Sequence, residues 1–181
     1  MTSGLTPCGM MESTDPEAAV ALIRTTGNEP QILVLRRAVN PLDPWSGHFA
    51  LPGGRREAGD RDLLDTCIRE TWEETGIRLV AGELRQALPW ACAGGRRRPT
   101  LVAPFLFEIE TPRETTLALH EIAEAHWLPL RYLGDPANHA HEPMVQSLPD
   151  RLFPCIRVGT GAIWGFTYGL LRDPVLLRSL P

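Results

Sequence analysis

The stretch Gly53 to Ile77, GGRREAGDRDLLDTCIRETWEETGI, constrains the chain more than any other. A glycine pair opens it, so the backbone there can approach another group closely. A helical pattern follows from Arg61 to Thr75, with Asp60 placed to cap its free N–H groups and Asp62 at the positive end of the dipole. Gly76 supplies the stop. At about 100° per residue, Glu70, Glu73 and Glu74 share one face. Leu64, Ile68, Thr71 and Thr75 fall roughly opposite, toward a sheet.

That acidic face is awkward as pure structure. Like charges four apart cost about 0.2–0.5 kcal/mol per pair. Glu73 and Glu74 also sit in the last turn, where the dipole costs each about 0.3–1 kcal/mol. The only basic neighbour is Arg69, one turn before Glu73. Three acids at helical spacing taken alone more often make a solvated surface. Together with the glycine turn at this spacing, they point to a bound cation. Hard oxygen ligands converging from one face suit Mg²⁺ or Mn²⁺.

The rest of the chain is ordinary. Its 181 residues are 43% hydrophobic and carry a net charge of −4, which argues against an extended nucleic-acid surface. No run of about 18 apolar residues predicts a membrane span, and the N-terminus has neither a basic start nor an apolar stretch, so a cytoplasmic protein is expected. Cys8, Cys67, Cys92 and Cys155 show no C-x-x-C spacing and read as reduced thiols. Residues 1–15 read as a tail and 16–181 as a single domain. Strands are expected at 18–24 and 31–37 around a turn at 26–30, at 48–51, and near 77–80, 84–89, 101–109 and 125–128. The first of these, AAVALI, has equal helix propensity. Residues 91–99 read as a hairpin loop and 134–150 as a longer loop. Helices are expected after Pro129 and over 163–171, with Pro174 breaking the latter. Mixed strands with few helices suggest an α/β/α sandwich or an α+β domain.

At Arg69-Glu70-Thr71-Trp72-Glu73-Glu74-Thr75-Gly76 the chain resembles the Nudix box, whose helix carries R-E-x-x-E-E-x-G; the preceding Leu51-Pro52-Gly53-Gly54 is also family-like. The resemblance implies the Nudix α/β/α sandwich with a mixed sheet, and metal-dependent hydrolysis of a nucleoside diphosphate linked to another group. It implies Glu70 and Glu74 as main ligands of Mg²⁺ or Mn²⁺, Glu73 as a ligand or a holder of bound water, and Arg69 as their orienting partner. The carbonyl of Gly53 could complete the shell. The segment from Gly54 to Arg69 is one residue longer than the usual pattern, and Asp60 replaces the usual first glutamate, which makes it a cap rather than a ligand. This longer form resembles the coenzyme A pyrophosphatase branch, as do LVLRRAVNPLDPWSGHFALPGG in part and Ile163-Trp164-Gly165-Phe166-Thr167. The segment EIAEAHWLPL, Glu121 to Leu130, resembles a late strand of the wider family.

Glu73 and Glu121 are the candidate general bases. Arg36, Arg37, His48 and Arg97 are the candidate substrate contacts, with Arg96 and Arg98 beside the last; Trp45 and Trp164 are candidate base-stacking residues or core. Substrate alternatives are ADP-ribose, a nucleotide sugar or a dinucleoside polyphosphate, or a non-catalytic domain that senses a nucleotide. The expected partner is a small nucleotide diphosphate, with no membrane and no long nucleic acid. The resemblance also raises a homodimer.

Overall fold

The computed structural model describes residues 15–40, 45–94, 99–145 and 147–173. Strand β1 (Ala18–Thr25) is buried along nearly its whole length and runs parallel to β7 (Thr100–Ile109), from Ala18 against Val102 to Thr25 against Ile109. A strand buried on both faces reads as an unbroken apolar run. That burial decides AAVALI for strand against its helix propensity. Beyond the turn at 26–30, β2 (Gln31–Arg37) returns antiparallel to β1, meeting it at Arg24 and Ile32, and pairs along its other edge with β8 (Ile122–Pro129).

Further along, β1 and β2 no longer share partners. β3 (Phe49–Ala50) takes the edge of β2, and β4 (Gly53–Arg55) takes the edge of β1. The segment between them is fastened on both sides: Arg37 N–H donates to the His48 carbonyl at 3.0 Å, and Ala21 N–H to the Pro52 carbonyl at 2.8 Å. The glycine pair is thus threaded into the middle of the sheet. β5 (Leu84–Ala87) and β6 (Ala91–Ala93) complete it against β7.

Side-chain alternation splits the core. Leu33, Leu35, Ile23 and Phe107 face helix α1 (Leu63–Thr75) in one cluster with Cys67, Ile77 and Leu79. Ile32, Val34, Leu22 and Leu106 face the other way. There they meet α2 (Leu130–Gly134), α3 (Gly165–Leu171) and a three-stranded antiparallel sheet of β9 (His139–Glu142), β10 (Phe153–Val158) and β11 (Gly161–Trp164). The expected mixed sheet between helical layers is present.

Some expectations need correcting. Residues 77–80 form no strand: Ile77 and Leu79 are buried while Arg78 and Val80 are exposed, so the alternation is that of an extended segment plugging the core without a ladder partner. Ala91–Ala93 is a strand rather than loop, and β9 lies in what read as the loop 134–150. The last helix begins at Gly165, after β11. Cys67 and Cys155 are free and buried, but Cys92 is disulfide-bonded. Spacing along the chain does not show which Cβ atoms the fold brings together. Residues 1–14 and Pro174 lie outside the described residues. No helix among the described residues is long and apolar enough to cross a membrane.

Gly53 has φ of 144°, and a Cβ there would lie 2.2 Å from the Ala19 carbonyl oxygen. Gly53→Ala is expected to destabilise the fold by about 3 kcal/mol or more, read as a lower denaturant midpoint. An unchanged midpoint would show that the threading is not tight.

Candidate active site

The helix that carries the acids starts two residues later than its pattern suggested. Asp62, not Asp60, is the cap, accepting from Asp65 N–H at 2.8 Å. Asp60 does something else. Its side chain is 5% exposed, and its carboxylate accepts from Arg69 Nε (2.9 Å) and Nη2 (3.0 Å), Glu57 N–H (2.9 Å) and the Thr66 hydroxyl (2.9 Å). These donors, the Arg69 guanidinium first, hold Asp60 well below the usual carboxylate range. Asp60 and the Arg55 carbonyl (3.1 Å) thereby fix the plane of Arg69. Its remaining nitrogen, Nη1, reaches Glu70 at 3.0 Å and Glu73 at 2.9 Å. One arginine therefore aims two of the three glutamates.

The third is held from the other side. Glu74 is 5% exposed, and its Oε2 accepts from Gly53 N–H at 2.9 Å. α1 turns Thr71 and Thr75 inward as expected, with Leu64 and Ile68 packed partly buried against the same core, and it buries Thr66, Cys67 and Glu74 as well. The buried threonines satisfy themselves along the helix: Thr71 donates to the Cys67 carbonyl (2.7 Å) and Thr75 to the Thr71 carbonyl (2.5 Å). Small side chains on this face let the helix sit close to the glycine strand. The contact leaves no room at Gly54, where a Cβ would lie 2.5–2.6 Å from the Glu70 carboxylate. Gly76 ends the helix as expected, with φ of 70° and its N–H on the Trp72 carbonyl. The last carbonyls are taken by a passing loop: Thr116 N–H bonds Thr75 O at 2.7 Å, and Ala118 N–H bonds Glu74 O at 3.1 Å.

This packing makes the acids hard to ionise. Burial pushes Glu74 up to about 8, against the Gly53 hydrogen bond, with Glu70 and Glu121 adding repulsion and Arg37 relieving it. Burial also raises Glu70, against Arg69, with Glu73 and Glu121 adding to the rise. Among the described residues, no three His, Cys, Asp or Glu side chains form a ready-made metal cage. Mg²⁺ does not need one, since it is held by one or two carboxylates and keeps several waters. Two crowded, desolvated carboxylates beside a bare glycine backbone are a donor set that fits such an ion.

The flanking candidates separate. Arg36 and Arg37 lie on either side of a register shift in β2. Arg36 is engaged with Glu124 (3.0 Å), the Thr160 hydroxyl (3.3 Å) and the Gly47 carbonyl (3.4 Å), while the charge of Arg37 acts on Glu74. Of the two, Arg37 belongs to the acid cluster. Glu121 is exposed in the loop before β8; its carbonyl accepts from Ala38 N–H at 2.7 Å, and its carboxylate lies 3.2 Å from His120 Nε2. The His48 ring sits edge-on to Trp164, with centroids 5.2 Å apart. Trp45 is half-exposed. Arg96, Arg97 and Arg98 lie outside the described residues. The pairing of Asp60 with Arg69 is not legible in the sequence, since nine residues apart across a loop is no helical spacing.

A family model, the NUDIX domain, matches residues 6–148. The chain belongs to the Nudix family. A relative from Schizosaccharomyces pombe, named only as an uncharacterized protein, is 34% identical over 110 residues, covering 56% of this chain and 32% of its own length. An uncharacterized Nudix hydrolase, NudL, from Yersinia pestis (strain Pestoides F) is 36% identical over 73 residues, covering 40% and 36%. The chain thus spans about a third of the length of these curated relatives. Among solved structures, a MutT/nudix family protein from Enterococcus faecalis superposes with a TM-score of 0.61 over 93% of this chain and 69% of that one, at 17% identity. That likeness is one of fold.

The burial of Glu74 has a consequence for stability. Its pKa is about 8 when folded against 4.5 when unfolded, so between these values the folded state binds the extra proton and stability falls as pH rises. With chelator present, wild type should lose stability relative to Glu74→Gln from about pH 5 to 8, measured as denaturant midpoints. Parallel curves would show that Glu74 is not a desolvated acid.

Proposed function

We infer that this Nudix protein is a metal-dependent pyrophosphohydrolase that cuts the diphosphate of a nucleoside-diphosphate-linked substrate, with coenzyme A or an acyl derivative as the favoured one. The observation that supports the reaction class most is the pair Glu70 and Glu74: Glu74 buried and Glu70 half-buried, mutually repelling, the one held by Gly53 and the other by Arg69. Glu70, Glu74, Glu73 and the Gly53 carbonyl would hold a Mg²⁺ or Mn²⁺ ion, which when bound supplies positive charge against phosphoryl oxygens and acidifies water. Arg69, fixed by Asp60, keeps Glu70 and Glu73 in place before substrate arrives. Arg37 offers its guanidinium to a phosphate oxygen. Glu121, whose charge is felt by both Glu70 and Glu74, would take the proton of the attacking water.

The choice of coenzyme A rests on the longer segment before Arg69 and on Ile163 to Thr167, which resemble that branch. A panel of coenzyme A, ADP-ribose, a nucleotide sugar and a dinucleoside polyphosphate, with products identified by mass, decides the substrate. Release of 4′-phosphopantetheine and 3′,5′-ADP supports the coenzyme A reading; a strong preference for another member overturns it.

Two variants test the residue roles. Asp60→Asn, which acts through Arg69, should lower kcat/KM by roughly 10–100-fold. Glu74→Gln should lower it further while circular dichroism stays native. Wild-type turnover in Glu74→Gln, or hydrolysis that survives chelation, contradicts the assignment.

A further inference from the structure

We propose that Glu57 is a positioning residue that takes over one arm of Arg69 when a divalent cation takes Glu70 and Glu73. Arg69 commits its nitrogens unequally. Nε and Nη2 are locked on the Asp60 carboxylate at 2.9 and 3.0 Å, and Nη2 also donates to the Arg55 carbonyl at 3.1 Å. Nη1 carries two N–H groups. Both go to glutamates read above as metal ligands, Glu70 at 3.0 Å and Glu73 at 2.9 Å. A guanidinium and a divalent cation thus compete for the same two carboxylates. As the cation draws them in, Nη1 loses its acceptors. The Arg69 side chain is only 22% exposed, so water replaces them incompletely, and a charged donor left without a partner is costly.

Among the described residues, the carboxylates within 4.0 Å of the Arg69 guanidinium are those of Glu57, Asp60, Glu70 and Glu73. Asp60 cannot follow Nη1, because Nε, Nη2, Glu57 N–H and the Thr66 hydroxyl already hold it. Glu57 can. Its Oε1 stands 4.0 Å from Nη1, just beyond hydrogen-bond reach, on a side chain that is 70% exposed and free to turn. Its main chain is fixed beside the anchor of Arg69: its N–H donates to the Asp60 carboxylate at 2.9 Å, and its carbonyl accepts from Asp60 N–H at 3.1 Å. The Arg56 side chain ties the same loop through the Asp60 and Arg61 carbonyls. A side-chain turn that closes the gap by about 1 Å therefore makes a charge-assisted hydrogen bond with the backbone at rest. Arg69 keeps its plane on Asp60 throughout, and only Nη1 changes hands. Glu57 thereby favours the ion-bound site and adds little to the ion-free fold.

The handover rests on Glu70 and Glu73 being ligands of the ion, and its test separates the two. Mn²⁺ is titrated by calorimetry into wild type, Glu57→Ala and Glu57→Asp, and denaturant midpoints are taken with chelator present. Glu57→Ala should bind Mn²⁺ roughly three- to tenfold more weakly, with an unchanged ion-free midpoint. Glu57→Asp keeps the charge but stands one methylene short of Nη1, and should weaken binding to a similar extent. Wild-type affinity in Glu57→Ala overturns the handover: Arg69 then keeps Glu70 and Glu73 while the ion uses their other oxygens. Wild-type affinity in Glu57→Asp also overturns it, since charge without contact then suffices. A clear loss of ion-free stability in Glu57→Ala does the same, because Glu57 then holds Arg69 before any ion arrives. A wild type that binds no Mn²⁺ removes the reading of the ligands, and the handover with it.

Discussion

The hydrogen bond from Gly53 N–H to the Glu74 carboxylate joins the two parts on which everything else depends. On one side is a glycine strand held between β1 and β2; on the other is the last turn of α1. The bond forms only because neither partner has bulk to keep the other away. Gly53 sits where a side chain would strike the Ala19 carbonyl, and the helix approaches on threonines and a cysteine rather than leucines. Close approach has a cost: it strips water from Glu74 and partly from Glu70, and so sets two acids against each other in a poorly solvated place.

Arg69 manages that cost without removing it. The guanidinium is committed to Asp60 through two nitrogens and divides a third between Glu70 and Glu73, leaving Glu74 without it. Asp60 reaches Arg69 although its side chain is one methylene shorter than a glutamate. The segment that carries it is stitched internally, Arg56 donating to the Asp60 and Arg61 carbonyls at 3.2 and 2.8 Å. The result is a scaffold in which three carboxylates are positioned in advance and one remains protonated near neutral pH, a state that a divalent cation would reverse.

Much of this was legible from residue order. Gly76 and the acids marked the end of α1 because a left-handed stop and an unfavourable charge pattern are local facts. The hairpin of β1 and β2 was local too. What depended on distant partners was not. Asp60 and Asp62 are both good caps by type, and only the fold shows that Asp60 belongs to Arg69. The inward face of α1 was legible in part: Thr71 and Thr75 lie in it, but the burial of Glu74 depends on how closely the distant glycine strand lets the helix approach. Alternation placed Arg36 and Arg37 on opposite faces but could not say which face held the acids. The small sheet of β9, β10 and β11 has strands of only four to six residues, with two histidines in β9, a proline in β10 and a glycine opening β11, so its pairing is set by the core it covers more than by propensity.

Glu74 is a desolvated acid whose ionisation belongs to cation binding. Calorimetric titration of Mn²⁺ at pH 7, in two buffers of different ionisation enthalpy, counts the protons released per ion bound. Wild type should release about one proton and Glu74→Gln close to none. Binding of Mn²⁺ to wild type with no proton release, or release unaltered by Glu74→Gln, would contradict it.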